Sequence, residues 1–140
     1  MGLIGSYLGT IACGGSGYHM SPFQFIKDPS CWIRALGRYG GTHTQAPNFA
    51  FALVARKWRG GGGGLSRGGG PTTRAGSDAA VRLDSVRHML NAAEPVDSAS
   101  IEAFEAAFCG ETTHGLRRGV VFPTCVRAWE GSCTIMHDGG

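Results

Sequence analysis

Segments in which apolar residues recur every three or four positions alternate along the chain with short runs rich in β-branched residues. The first pattern is typical of amphipathic helices and the second of strands. Helices are predicted from Pro22 behind a Ser21 cap, again from Asp28 or Pro29 to Tyr39, from Pro47 to Trp58, and from an Asp97 or Ser98 cap to Phe108. The predicted strands are 18–20, 42–46, 86–90 and 119–122.

These elements alternate between helix and strand and are joined by short connections. That order predicts an α/β fold with a parallel sheet and right-handed crossovers. Four strands are few for such a sheet, and both of its edges would be bare. The pattern therefore predicts an incomplete piece of a larger parallel sheet.

Residues 59–80 interrupt this pattern with a Gly/Arg-rich stretch. Nine of the 24 glycines lie between Arg59 and Gly76, and the stretch has no apolar periodicity. It predicts a flexible insert within one partial domain, residues 1–140. The triplets at 59–61 and 67–69 are also similar to arginine–glycine segments that bind RNA. Because no aromatic residue is interleaved, a passive linker is favoured and RNA binding is the lesser alternative.

Charge and cysteine usage narrow the class of protein. The net charge is +3, with the basic residues concentrated in the first half, where phosphate groups would be attracted. The five cysteines are an odd number with no C-x-x-C pair, which favours reduced thiols and a cytoplasmic location. No apolar run reaches the roughly 18–20 residues of a membrane span, so no transmembrane segment is predicted. DNA is not among the expected partners.

The turn at 91–96 is the strongest candidate for a ligand site. The sequence has no Walker phosphate loop, no dinucleotide-binding fingerprint and no G-x-S-x-G elbow, and its five histidines lack metal-ligand spacing. The turn follows a predicted strand and precedes a capped helix, and ligands of open α/β sheets bind at the carboxyl ends of strands. Small residues there would let the backbone approach a planar ring, and Glu94 is the first acid in that position. A tight strand–helix turn without a ligand is the alternative.

The same turn belongs to a longer run that is similar to a known family. Residues 83–96, LDSVRHMLNAAEPV, resemble the core of fatty-acyl-AMP ligases in the adenylate-forming superfamily. Three further segments match in the family's order: MGLIG at 1–5, MSPFQF at 20–25 and QAPNFAF at 45–51. The resemblance covers about residues 1–58 and 82–124. It implies a piece of the AMP-dependent synthetase/ligase domain, truncated at both ends, from the family's large N-terminal α/β domain.

The resemblance implies an activity and a set of sites. The parent enzyme would activate a fatty acid with ATP and Mg²⁺ to an acyl-adenylate. It would then pass the acyl group to the thiol of an acyl carrier protein or of coenzyme A. The implied nucleotide-binding residues are Ala92, Ala93, Glu94 and Pro95. The implied acyl-pocket residues are Gly2, Leu3, Gly5, Asn48 and Phe49, and the implied metal ligand is Glu130.

Departures from the family pattern bear on activity. Residues 125–130 read CVRAWE where the family has Y-G-L-A-E, so the aromatic platform for adenine is missing. The family's phosphate loop, ribose-binding aspartate and catalytic lysine have no counterpart, so no catalytic residue is assigned and the chain alone is expected to be inactive. The alternative is a non-catalytic module that binds acyl groups or nucleotides, or acts as a scaffold, as in the disco-interacting protein 2 group.

Overall fold

A computed structural model describes residues 2–59, 81–110, 114–123 and 134–137. A π-type helical segment, Gly2–Leu8, runs directly into helix α1, Gly9–Cys13. The other helices are α2 (Pro22–Lys27), α3 (Ser30–Tyr39), α4 (Asn48–Arg59) and α5 (Ser98–Phe108). The strands are β1 (Ser16–His19), β2 (His43–Ala46), β3 (His88–Asn91), β4 (Val121–Pro123) and β5 (Thr134–His137).

The five strands form one sheet in the order β1-β5-β2-β3-β4. Strands β2, β3 and β4 are parallel neighbours, whereas β5 is antiparallel to both β1 and β2. Strand β1 therefore also runs in the direction of β2. This confirms the α/β class and the common direction of the four predicted strands. The sheet also contains β5, which was not predicted; it lies between β1 and β2 and is antiparallel to both.

Local side-chain chemistry sets the helix ends. Pro22 occupies the first turn of α2 as predicted, but the predicted Ser21 cap is wrong because its side chain makes no capping hydrogen bond. Helix α3 begins at Ser30, one or two residues later than predicted, and the Asp28 carboxylate accepts from its backbone N–H at 3.2 Å. Asp97 caps α5 as predicted, accepting from two backbone N–H groups of the first turn.

The core lies on one face of the sheet, beneath α3, α4 and α5. Trp32 of α3 packs edge-to-face on Phe51 of α4 at 5.3 Å between ring centroids, and Phe51 does the same to Phe104 of α5 at 5.1 Å. The indole N–H of Trp32 donates to Thr44 Oγ1 of β2 at 3.0 Å. Residues from both sides of the 60–80 stretch thus share one core, which supports the proposal of a single partial domain. Helix α4 includes Arg59, the first residue of the predicted insert, and the rest of that insert, 60–80, lies outside the described residues.

The opposite face of the sheet is partly covered. Gln45 alternates with Thr44 and Ala46 along β2, so its side chain lies on this second face, where the N-terminal segment packs. Leu90 of β3 and Phe122 of β4 are exposed. Within the described ranges, no helix is long and apolar enough to cross a membrane.

Candidate functional site at the carboxyl edge of the sheet

Three parallel strands end level with one another. Ala46 of β2 pairs in register with Asn91 of β3, which in turn pairs with Pro123 of β4. Helix α4 starts two residues after Ala46, and the loop Ala92–Pro95 follows Asn91. The register therefore brings two predicted site segments, the start of α4 and the Ala92–Pro95 loop, to one edge of the sheet. This is the edge at which ligands of open α/β sheets bind.

Asn91 joins these two segments through its side-chain amide. It is the last residue of β3 and lies on the buried face with Met89, and its exposed fraction is 0%. Its Nδ2 donates to Asn48 Oδ1 at 2.9 Å. Its own Oδ1 is buried and has no hydrogen-bond partner in the part of the chain that the structure describes. A buried acceptor left without a partner costs about 1–3 kcal/mol, whereas the Nδ2–Oδ1 bond to Asn48 contributes about 0.5–1.5 kcal/mol.

Ala93 adopts a backbone conformation that alanine disfavours. The backbone N–H of Ala92 still donates to the carbonyl of Ala46 at 3.3 Å, which extends the β2–β3 pairing by one residue. The chain then turns at Ala93, where φ is 77°. Ala93 is the only residue other than glycine with a positive φ among the residues described. The left-handed region costs a residue with a Cβ about 1–2 kcal/mol, so surrounding contacts must hold the loop in place.

The Glu94 carboxylate supplies one such contact. Its Oε1 accepts from the backbone N–H of Phe49 at 2.5 Å. Phe49 lies in the first turn of α4, where backbone N–H groups have no partner inside the helix and the helix dipole is positive. Glu94 thus caps α4 from another element. This contact links the predicted nucleotide-binding loop to the predicted acyl-pocket segment.

The predicted acyl-pocket residues are divided between the two faces of β2. A Cβ on Gly5 would lie 2.8 Å from the side-chain amide of Gln45, and that amide donates to Ser6 Oγ at 2.6 Å. Gly5 therefore packs closely against the second face. Asn48 bonds to Asn91 on the core face, and the half-exposed Phe49 ring lies edge-to-face on Phe25 at 6.4 Å.

The remaining predicted residues are less informative. Gly2 and Leu3 lie in the π-type segment, and Pro95 is exposed beside Glu94. Glu130 lies outside the described residues, as does the arginine–glycine stretch 60–80. The sequence analysis gave no site role to Ser6, Gln45 or Asn91, although Asn91 lies in the 91–96 turn and Gln45 in the matched 45–51 segment, because their pairing partners are 39 and 43 positions away along the chain.

Other chemistry among the described residues is limited. No group of three His, Cys, Asp or Glu side chains in these ranges could hold a metal ion. Burial raises the pKa of the Cys31 thiol, and the nearby Asp28 carboxylate adds to the effect. Burial also raises the pKa of Cys109, with Glu105 contributing. Neither thiol is therefore activated as a nucleophile, since the reactive form is the thiolate.

An open groove lies between α4 and α5. Its volume is about 400 Å³, and small side chains such as Ala52, Ala55 and Ala103 line most of it. Arg56 and Asp97 supply its charges, but the Asp97 carboxylate is already engaged in capping α5. None of the predicted site residues lines the groove, so the carboxyl edge is the better candidate site.

Comparison with known proteins shows similarity to fatty-acid–AMP ligases. No protein-family model matches the chain. It is 36% identical over 128 residues to the long-chain-fatty-acid–AMP ligase FadD32 of Mycobacterium marinum, covering 89% of this chain and 18% of that protein. It is 32% identical over 122 residues to the medium-chain-fatty-acid–[acyl-carrier-protein] ligase JamA of Moorena producens, covering 87% of this chain and 18% of that ligase.

A solved structure matches the fold as well as the sequence. It is the fatty acyl-adenylate ligase from Legionella pneumophila in complex with acyl adenylate and pyrophosphate. The TM-score is 0.57 at 26% identity, and the match covers 76% of this chain and 16% of that one. The chain thus spans less than a fifth of the length of each protein it matches here.

Proposed function

We propose that this chain, which belongs to the fatty-acyl-AMP ligase group of the adenylate-forming superfamily, forms part of the acyl-adenylating site of such an enzyme. In that reaction a fatty-acid carboxylate attacks the α-phosphorus of ATP, pyrophosphate leaves, and an acyl-adenylate forms. The observation that supports this most directly is the carboxyl edge. There the Ala92–Pro95 loop is hydrogen-bonded to the first turn of α4 through Asn91 and Glu94.

The loop suits a planar ligand. Ala92 and Ala93 carry no side chain beyond Cβ. Ala92 is 2% exposed, whereas Ala93 is half-buried and Glu94 and Pro95 are exposed, so a purine ring would approach the loop from the side of Ala93, Glu94 and Pro95. We assign Ala92, Ala93, Glu94 and Pro95 to the nucleotide subsite on this basis, with Glu94 acting mainly through α4.

The acyl chain would lie near α4 and the N-terminal segment. Phe49 is 48% exposed, so its ring offers apolar contact area beside the loop. Gly5, with Gly2 and Leu3 before it in the π-type segment, packs against the second face of β2 close to its carboxyl end. We propose these residues and Asn48 as the acyl-pocket contribution of this chain.

The nucleotide and the thiol acceptor are proposed from the similarity to this family. ATP is the proposed nucleotide, and the proposed acceptor is an acyl carrier protein, the partner in the name of one relative, with coenzyme A as the other thiol. The described residues offer no set of ligands that fits Mg²⁺, so no step is assigned to it; Glu130 is proposed as its ligand on resemblance alone. A cytoplasmic location is consistent with ATP use and with the free thiols of Cys13, Cys31 and Cys109.

Thermal denaturation with a site-filling ligand tests this proposal. A ligand that binds only the folded chain stabilises it by RT ln(1 + c/Kd) at free ligand concentration c, so at equal ligand concentrations the tighter ligand raises the melting temperature more. We expect dodecanoyl sulfamoyl adenosine, a stable acyl-adenylate analogue, to raise the Tm more than AMP does. Phe49→Ala is expected to reduce the shift, whereas Phe23→Ala, an 85% exposed phenylalanine on α2, is the matched control and should not.

Two outcomes would contradict the proposal. One is a cooperative melt of the unmodified chain that the analogue does not move. The other is an equal loss of the shift in both phenylalanine variants. Acyl-hydroxamate formation from dodecanoate, ATP and hydroxylamine should be undetectable with this chain alone, since the sequence lacks counterparts of the phosphate loop and catalytic lysine; turnover would refute that expectation.

A further inference from the structure

Asn91 is buried beside the candidate site, and its side chain faces away from any bound ligand. Its side chain is fully buried, and its Nδ2 is committed to Asn48 Oδ1. A ligand resting on the loop therefore cannot contact this amide directly. Any influence of Asn91 on binding must pass through the backbone that it anchors.

The loop is held to α4 on both sides of its strained residue. Asn91 lies two positions before Ala93 and bonds to Asn48, the first residue of α4. Glu94 lies one position after Ala93 and bonds to the N–H of Phe49, the next residue of the same helix. Because both attachments end on one helical turn, the chain between them has little room to relax. This explains how a left-handed alanine persists at φ 77°.

We infer that Asn91 is a positioning residue that holds the Ala92–Pro95 loop in its ligand-receiving conformation. The inference rests on the proposed nucleotide subsite. Without the Asn91–Asn48 bond, Ala93 would revert toward the right-handed or extended conformations that alanine prefers. Only a fraction of the molecules would then hold the loop in the conformation that binds ligand. The apparent affinity would fall by that fraction.

A double-mutant design separates positioning from a general structural role. Asn91→Leu is close in size and removes both the donor and the unsatisfied acceptor. Ala93→Gly removes the penalty for a positive φ and so favours the same loop conformation without the anchor. We expect Asn91→Leu to raise the Kd for dodecanoyl sulfamoyl adenosine about tenfold, and Asn91→Leu/Ala93→Gly to return it to within about threefold of the unmodified chain.

Hydrogen exchange provides a readout that needs no ligand. The backbone N–H groups of Phe49 and Ala92 are bonded across the edge, to Glu94 and Ala46 respectively. Both should exchange faster in Asn91→Leu and recover in the double variant, while the N–H of Cys109, bonded to the carbonyl of Glu105 at the other end of α5, stays unchanged. If Asn91→Leu does not unfold cooperatively, Asn48→Ala breaks the same bond from the other side and replaces it in the exchange comparison, with Ala93→Gly again as the second substitution.

The outcomes distinguish this inference from the proposed function. Unchanged exchange at Phe49 and Ala92 in the anchor variant overturns the positioning role. So does a loss of affinity that Ala93→Gly fails to recover, since that is the behaviour of a merely structural residue. If the unmodified chain does not bind the analogue while the exchange pattern changes as expected, the nucleotide assignment fails and the anchoring of the loop stands.

Discussion

The left-handed conformation of Ala93 can be measured against a glycine of the same protein. Gly119 has φ 76°, almost the value of 77° at Ala93, and a Cβ added to it would meet nothing within 4 Å. Gly119→Ala therefore introduces the conformational penalty with no steric clash. Ala93→Gly removes the same penalty, so the two substitutions should have opposite effects on the free energy of unfolding.

The size of the effect follows from two opposing quantities. A residue with a Cβ pays about 1–2 kcal/mol in the left-handed region. Glycine loses about 0.5–1 kcal/mol more backbone entropy than alanine on folding. Ala93→Gly should therefore stabilise the chain by about 0.5–1 kcal/mol, and Gly119→Ala should destabilise it by a similar amount.

Urea denaturation followed by tryptophan fluorescence measures both changes, because Trp32 is fully buried in the core. Ala92→Gly is the matched control: it changes the neighbouring alanine, which is 2% exposed and has no positive φ, and should cost about 1–2 kcal/mol. The reasoning is refuted if Ala93→Gly destabilises the chain as much as Ala92→Gly does.

Four further predictions concern the core, a helix cap and the thiols. Phe104→Ala should reduce the free energy of unfolding in urea by about 3–5 kcal/mol because the ring is fully buried between Trp32 and Phe51; a loss no larger than that of Phe23→Ala would contradict this packing. Asp97→Ala should cost about 0.5–2 kcal/mol through the lost α5 cap, and Asp97→Ser, which keeps an acceptor, should recover most of it in the same assay. At neutral pH the exposed Cys13 should react with a disulfide reagent well before Cys31 and Cys109, whose pKa values are raised by burial; Cys13→Ser should reduce the fast phase by one thiol equivalent. Because a raised thiol pKa favours the protonated folded form, the contribution of Cys31 to stability is complete below its ordinary pKa of 9.0 and is lost as the pH rises above it, so Cys31→Ala should flatten the alkaline decline in the urea midpoint.

Elements with strong local signals were predicted well. Helix α5 combines a capping aspartate with an apolar face, and the structure places the cap and Phe108 where the pattern indicated. Strand β5 had no comparable signal. A four-residue strand carries little periodicity of its own, and this one depends on backbone pairing with β1 and β2 on either side. The predicted Ser21 cap was wrong because the residue type alone does not fix the side-chain direction. Ser21 precedes α2, but its hydroxyl makes no capping hydrogen bond.

The sequence by itself determined the α/β class, most helix starts, and the loop at the end of β3 as the candidate site, because these depend on residues close together in the chain. Only the tertiary structure decided which residues hold that loop. Asn91 reaches Asn48 across 43 positions and Glu94 reaches Phe49 across 45, and no local pattern encodes such contacts. Parallel pairing in register brings the ends of β2 and β3 to one edge of the sheet. At that edge the backbone N–H groups in the first turn of α4 have no acceptors within the helix, and the contacts to α4 hold the strained loop in place.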